Sequence, residues 1–184
     1  MISTLLSGPA AEPVSLADMK ARLRLLTTDD DRLVTTLIAA ARAHLESVLS
    51  VALLSQTWRL SLEDWPTSGA IRLPIRPLRR LIALRAYGSD GVAVSVPVAG
   101  CVTVTGTAAE LRLPQNLPVP GRPLGLEIEY EAGFDTPPPD LIEALTQLVR
   151  HWVENRDLVV TAGTGVVVPQ AFHALTAPWA PARL

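Results

Sequence analysis

The spacing of apolar side chains changes period twice along the chain, and these two changes limit what it can fold into. From about residue 30 to 49, Leu33, Leu37, Ala40, Ala41, His44, Leu45 and Val48 recur at three- and four-residue intervals, with Thr35, Arg42 and Glu46 opposite. That is the period of an α-helix. From Gln56 the period drops to two, in Gln56-Thr57-Trp58-Arg59-Leu60-Ser61-Leu62, as expected of a strand. From about residue 138 the helical period returns. There Leu141, Ile142, Leu145, Leu148, Val149, Trp152 and Val153 span an apolar arc of roughly 140°. Helices, then strands, then a helix again predict an α+β fold. Three main α-helices would form a helical core, a small all-β unit would be inserted between helices two and three, and an extended C-terminal tail would follow.

The boundaries come from local chemistry. Residues 1–13 read as a flexible N-terminal arm. Ser15-Leu16-Ala17-Asp18 is a capping pattern that starts a helix over about 15–26, with Leu16, Met19, Leu23 and Leu26 on its apolar side. Asp29-Asp30-Asp31 suits the positive end of the second helix, over about 30–49. Short runs punctuated by Pro, Gly and Ser fill about 53–133 as some six strands, at 70–73, 78–87, 92–98, 102–105, 110–113 and 124–132. Pro138 and Pro139 open the third helix, over about 138–157, where the first N–H groups have no intrahelical partner. The main domain therefore spans 14–158. The tail, 159–184, carries Phe172, Leu175 and Trp179 and needs a surface to lie on.

Composition excludes several classes. With 48% hydrophobic and 18% charged residues, the chain is too apolar to stay disordered. No apolar run is long enough for a membrane helix, and Met1 to Pro13 lacks the basic start and apolar core of a secretory signal. One cysteine, Cys101, rules out an internal disulfide framework and fits folding in a reducing cytoplasm. A net charge of −2 leaves no overall nucleic-acid footprint.

No catalytic constellation emerges. Gly163-Thr164-Gly165 lacks the remainder of a phosphate-binding loop, and Ser47 and Ser50 sit in no nucleophile elbow. His151 and Glu154, three apart on the third helix, could share a metal, which would make a metal-assisted hydrolase; a solvated helix edge beside Arg150 and Arg156 is the plainer reading. Neither a cofactor nor a resident metal is expected, and the chain reads as a non-enzyme. Two charge patterns stand out. Glu127, Glu129 and Glu131 alternate along one strand, about 7 Å apart; they could form a solvated face, meet arginines of this chain or a neighbour, or contribute to a calcium site. Arg72, Arg76, Arg79, Arg80 and Arg85 occupy a stretch without an acidic residue. They could guard a strand edge, meet an acidic partner surface, or follow a phosphate backbone.

An ordered series of short motifs goes further. It runs from Pro13-Val14-Ser15-Leu16-Ala17-Asp18-Met19-Lys20-Ala21-Arg22-Leu23-Arg24, through an Asp-rich turn, to Leu37-Ile38-Ala39-Ala40-Ala41-Arg42 and Glu46. Gln56-Thr57-Trp58 and Leu73-Pro74-Ile75-Arg76-Pro77 come next. Tyr130-Glu131-Ala132-Gly133-Phe134, Pro138-Pro139-Asp140-Leu141 and His151-Trp152-Val153-Glu154-Asn155-Arg156 complete it. Over roughly residues 13–158 this resembles the phage-type head–tail connector (adaptor) family, also found in gene transfer agents. The resemblance implies a structural virion protein at the head–tail junction. It would form a homo-oligomeric ring, typically of twelve subunits, joining the portal protein to a head-closure or tail protein while double-stranded DNA passes through. A head-closure or tail-completion protein of the same particle is the alternative. Low net charge suits a passage that DNA crosses without sticking. The residues expected to contact partners are Arg76, Arg79, Arg80, Trp152, Arg156, Phe172, Leu175 and Trp179.

Overall fold

The computed structural model describes residues 1–64, 69–88, 91–104, 109–113, 124–155 and 170–180. The chain divides into two compact units, each discontinuous in sequence. One is Met1–Ala10 with Leu54–Asp135, and the other is Ala11–Leu53 with Thr136–Leu184. The class is α+β, with four α-helices and two antiparallel sheets among the described residues.

Among the described residues, the first unit holds all the strands. These are β1 (Ile2–Ser7), β2 (Gln56–Leu62), β3 (Ala70–Arg72), β4 (Leu78–Tyr87), β5 (Ala93–Ser95), β6 (Val102–Val104), β7 (Glu110–Arg112) and β8 (Gly125–Ala132). A five-stranded sheet runs in the order β1-β2-β8-β4-β5, and a three-stranded sheet in the order β3-β7-β6. The period-two pattern determines the faces. On β8, Leu126, Ile128, Tyr130 and Ala132 are fully buried while Glu127, Glu129 and Glu131 between them are not. Leu60 of β2 and Leu84 and Ala86 of β4 complete the same apolar face. Ile71 and its cross-strand partner Leu111 are the buried residues of the small sheet. Gly133 ends β8 at φ +126, and a Cβ there would collide with the Leu54 carbonyl.

The expected flexible arm is corrected here. Residues 2–7 form β1, paired antiparallel to β2 with Ile2 opposite Ser61 and Thr4 opposite Arg59. The β unit is thus more than an insertion between two helices, because it recruits the chain's first strand. All six β1 side chains are exposed, so no alternation of burial marked this strand in the sequence.

The second unit holds α1 (Leu16–Leu23), α2 (Asp31–Leu49), α3 (Pro139–Glu154) and α4 (Gln170–Thr176). Ser15 caps α1, accepting from the Asp18 N–H at 3.1 Å and donating to its carboxylate at 2.7 Å. The helix ends three residues earlier than its spacing predicted. Arg24 takes a left-handed conformation at φ 58 and turns its N–H back to Ala21 and Lys20, which satisfies helix-end carbonyls. Leu26 is consequently 96% exposed rather than on the apolar side of α1. Arg42 fastens the chain entering the unit. It donates to Glu12 at 2.7 Å and to Glu46 at 3.0 Å, and these carboxylates, Glu12 foremost, hold its pKa above the ordinary value.

The buried face of α2 is rotated from the expected one. Val34, Ile38, Ala41, Leu45 and Leu49 are inside, whereas Leu33, Ala40, His44 and Val48 are exposed and Leu37 is half-buried. The helix carries two apolar stripes one residue apart, and the unit covers only one of them.

Candidate functional site

Two surfaces are built from residues that stand out in the sequence. The first is the outer face of the five-stranded sheet. Because β8 lies between β2 and β4, its three glutamates sit within reach of arginines from both neighbours. Arg59, opposite Glu129 in the register, bonds it at 2.7 Å. Arg85 bonds the same oxygen at 2.8 Å and lies 3.9 Å from Glu127. Glu131 takes Arg79 at 3.2 Å, Arg80 at 2.5 Å and the Ser55 hydroxyl. Arg79 also reaches Asp135 at 2.6 Å. The alternating carboxylates thus meet arginines of their own chain. Donated bonds, from Arg85 first on Glu129 and from Ser55 first on Glu131, hold both carboxyls below the ordinary carboxylate value.

This ladder answers part of the expectation for the arginine stretch. Arg79, Arg80 and Arg85 are bound within the sheet face, and Arg80 alone of these keeps most of its side chain, 71%, exposed. Arg76 is half-buried, and burial lowers its pKa. Arg79, Arg80, Glu131, Phe134 and Asp135 line one shallow groove at the end of this face.

The second surface lies on the helical unit. α4 packs against α3 and buries Phe172 at 3% exposure. The His44 ring sits edge-on to Trp152 with centroids 6.3 Å apart and lies 6.4 Å from Phe172. Trp179 follows in a 3-10 turn and donates its indole N–H to Asp140 at 2.6 Å. The described part of the tail therefore lies on the chain's own α3. Leu175 and Trp152 are half-buried, and Arg156 falls outside the described residues. A second groove, lined by Arg22, Arg24, Leu25, Arg150 and Val153, opens where α1 ends beside α3.

The metal reading finds no support in the geometry. Among the described residues, no group of three or more His, Cys, Asp or Glu is placed to hold an ion. The Nδ1 of His151 meets the Asn155 amide at 3.2 Å, and Glu154 is exposed. No described helix is long and apolar enough to cross a membrane.

Sequence reasoning found the carboxylate row and the arginines but could not pair them, because their contacts join positions 42 to 70 residues apart. It missed β1 and the exposed stripe of α2. For the stripe the signal was present, since Leu33-Val34, Leu37-Ile38 and Val48-Leu49 are adjacent apolar pairs along α2.

Comparison with known proteins gives a consistent result. Residues 13–86 match the family described as phage gp6-like head–tail connector protein. No curated protein matches the chain in sequence. Among solved structures, a chain in the neck of an empty GTA particle, computed with C6 symmetry, superposes with a TM-score of 0.81 at 26% identity, covering 100% of this chain and 97% of that one. A chain in the virion of a native gene transfer agent (GTA) particle gives 0.80 at 26% identity with the same coverage. A chain in the neck of a native GTA particle, computed with C12 symmetry, shares the fold at a TM-score of 0.78 and 24% identity, again over 100% and 97% of the two chains.

Proposed function

We propose that this chain, a relative of the phage gp6-like head–tail connectors, is a structural connector subunit at the head–tail junction of a phage-like particle. The observation that carries the reading is the full-length superposition on a chain of a GTA neck, at a TM-score of 0.81. In this role identical copies form a ring that joins the portal to the tail, and double-stranded DNA passes through it. The chain does this by shape and contact, without chemistry of its own.

The residues favour such a ring. Rotational symmetry brings two different surfaces of one chain together, one from each copy. The uncovered stripe of α2, with Leu33 and Val48 exposed, is an apolar helix face free to meet a neighbour. Arg80 can reach a partner while bonded to Glu131. Arg76, Trp152 and Leu175, none fully buried, join it as proposed contacts, with Arg156 beyond the described residues. Phe172 and Trp179 would contact the portal only by leaving α3, and Arg79 a partner only by leaving Glu131 and Asp135. We therefore assign these three first to holding the chain's own structure.

Particles made without this chain test the role. DNA-filled heads and separate tails are expected, rejoined when the chain is supplied in trans. Normally joined particles in its absence would overturn the proposal.

A further inference from the structure

Charges ordinarily guard the edges of a sheet, since an exposed, uncharged edge strand invites pairing with another chain. In the five-stranded sheet the distribution is inverted. The three inner strands carry seven charged side chains: Arg59 on β2, Arg79, Arg80 and Arg85 on β4, and Glu127, Glu129 and Glu131 on β8. The two outer strands carry none. Residues 1–11, which include β1, have no charged side chain, and neither do residues 91–109, which include β5.

Both edges are also apolar and open. Ile2, Leu5 and Leu6 of β1 are 61%, 47% and 43% exposed, and Ala93 and Ser95 of β5 are exposed with Val94 half-buried between them. Among the described residues each outer strand has one strand neighbour, β2 for β1 and β4 for β5. No lysine or proline interrupts either strand. On β1 the one irregularity is a register shift between Leu5 and Ser7.

We propose that the sheet continues from copy to copy, the free edge of β1 in one copy meeting the free edge of β5 in the next. The occupant of each edge is then a second copy of this chain. This rests on the ring reading above and names a second surface, beside the α2 stripe, by which copies join in the ring. Pairing of β1 with another β1 would create a twofold dimer, which does not propagate around a rotation axis; joining β1 to β5 is heterologous and does. Direction is compatible. Every step from β1 through β2, β8 and β4 to β5 is antiparallel, so β1 and β5 run the same way and the seam is a parallel pair. The inner charge ladder suits this role, because its ions are already paired within each copy and its outward face need not be covered.

Short bismaleimide cross-linking of assembled particles tests the seam. Cys101, the one native cysteine, is replaced in a Cys101→Ser background. Ser3→Cys or Ser7→Cys on β1 is then combined with Ser95→Cys on β5; all three serines are exposed, and the two β1 positions allow for either register. A ladder of covalent multimers on a denaturing gel is expected from a double variant, with only monomers from each single variant. A ring visible in the particles without a ladder from either double variant would overturn the seam while leaving the connector role intact. Dimers from Ser3→Cys alone would overturn it too, since β1 would then be meeting its own kind. Particles with no ring of this chain would sink the connector role and this inference with it. As an independent arm, Leu5→Lys with Ala93→Lys puts charges on both edges. Unchanged melting of the free chain with about tenfold lower incorporation into particles is expected, and undiminished incorporation would contradict the seam.

Discussion

Glu129 is held from two strands at once, because β8 lies between β2 and β4. Arg59 and Arg85 both bond it and hold its pKa below the ordinary value of 4.5. A carboxyl whose folded pKa is depressed stabilises the fold above its unfolded value and loses that contribution as pH falls through the folded one. Glu131 behaves likewise. Stability of the free chain, measured by urea unfolding, should therefore drop as pH falls through and below the ordinary carboxylate value of 4.5. Replacing both glutamates by Gln should flatten that decline, and a decline of equal steepness in the double variant would contradict the ladder. At neutral pH, Glu129→Gln alone should cost about 1 kcal/mol, because its arginine partners are partly solvated. Gly133 is the other informative residue. With φ at +126 and the Leu54 carbonyl against the place of a Cβ, Gly133→Ala should destabilise the fold by more than about 1 kcal/mol. An unchanged unfolding midpoint would contradict that geometry.

At the scale of elements, what could be read from sequence depended on burial. α2, α3, β4 and β8 each bury one face, so their periods were visible and their positions were recovered closely. β1 buries neither face and gave no period to read. The early end of α1 depends on one left-handed residue, Arg24, and no residue-type rule marks an arginine for that conformation. α4 is seven residues long, too short to be stable alone, so tertiary contact must hold it. Phe172 within it and Trp179 just after it contribute to that contact. Phe172→Ala should loosen α4 at a cost of about 3 kcal/mol. Trp179→Phe removes the bond to Asp140 at about 1 kcal/mol. In both variants limited proteolysis should cut within residues 170–180 faster, while β-unit fragments resist as before. Equal cutting of variant and parent would mean that the tail does not depend on these contacts.

At the scale of the whole molecule, the family resemblance was carried by motifs spread over most of the chain, and the superposition extends along its full length. Sequence could not say which surfaces copies use, because an interface residue and a core residue have the same apolar signature until one is found exposed. Leu33 and Val48 make the point: both fitted the core period, and both are exposed. Leu33→Glu with Val48→Glu should shift the stability of the free chain by no more than about 0.5 kcal/mol, yet lower its incorporation into particles. Normal incorporation would remove α2 from the ring contacts. Electron microscopy of intact particles with this chain tagged at a surface loop decides the connector role. A closed, rotationally symmetric ring of tagged subunits is expected between head and tail. Label absent from that position, or a single copy there without rotational symmetry, would contradict it.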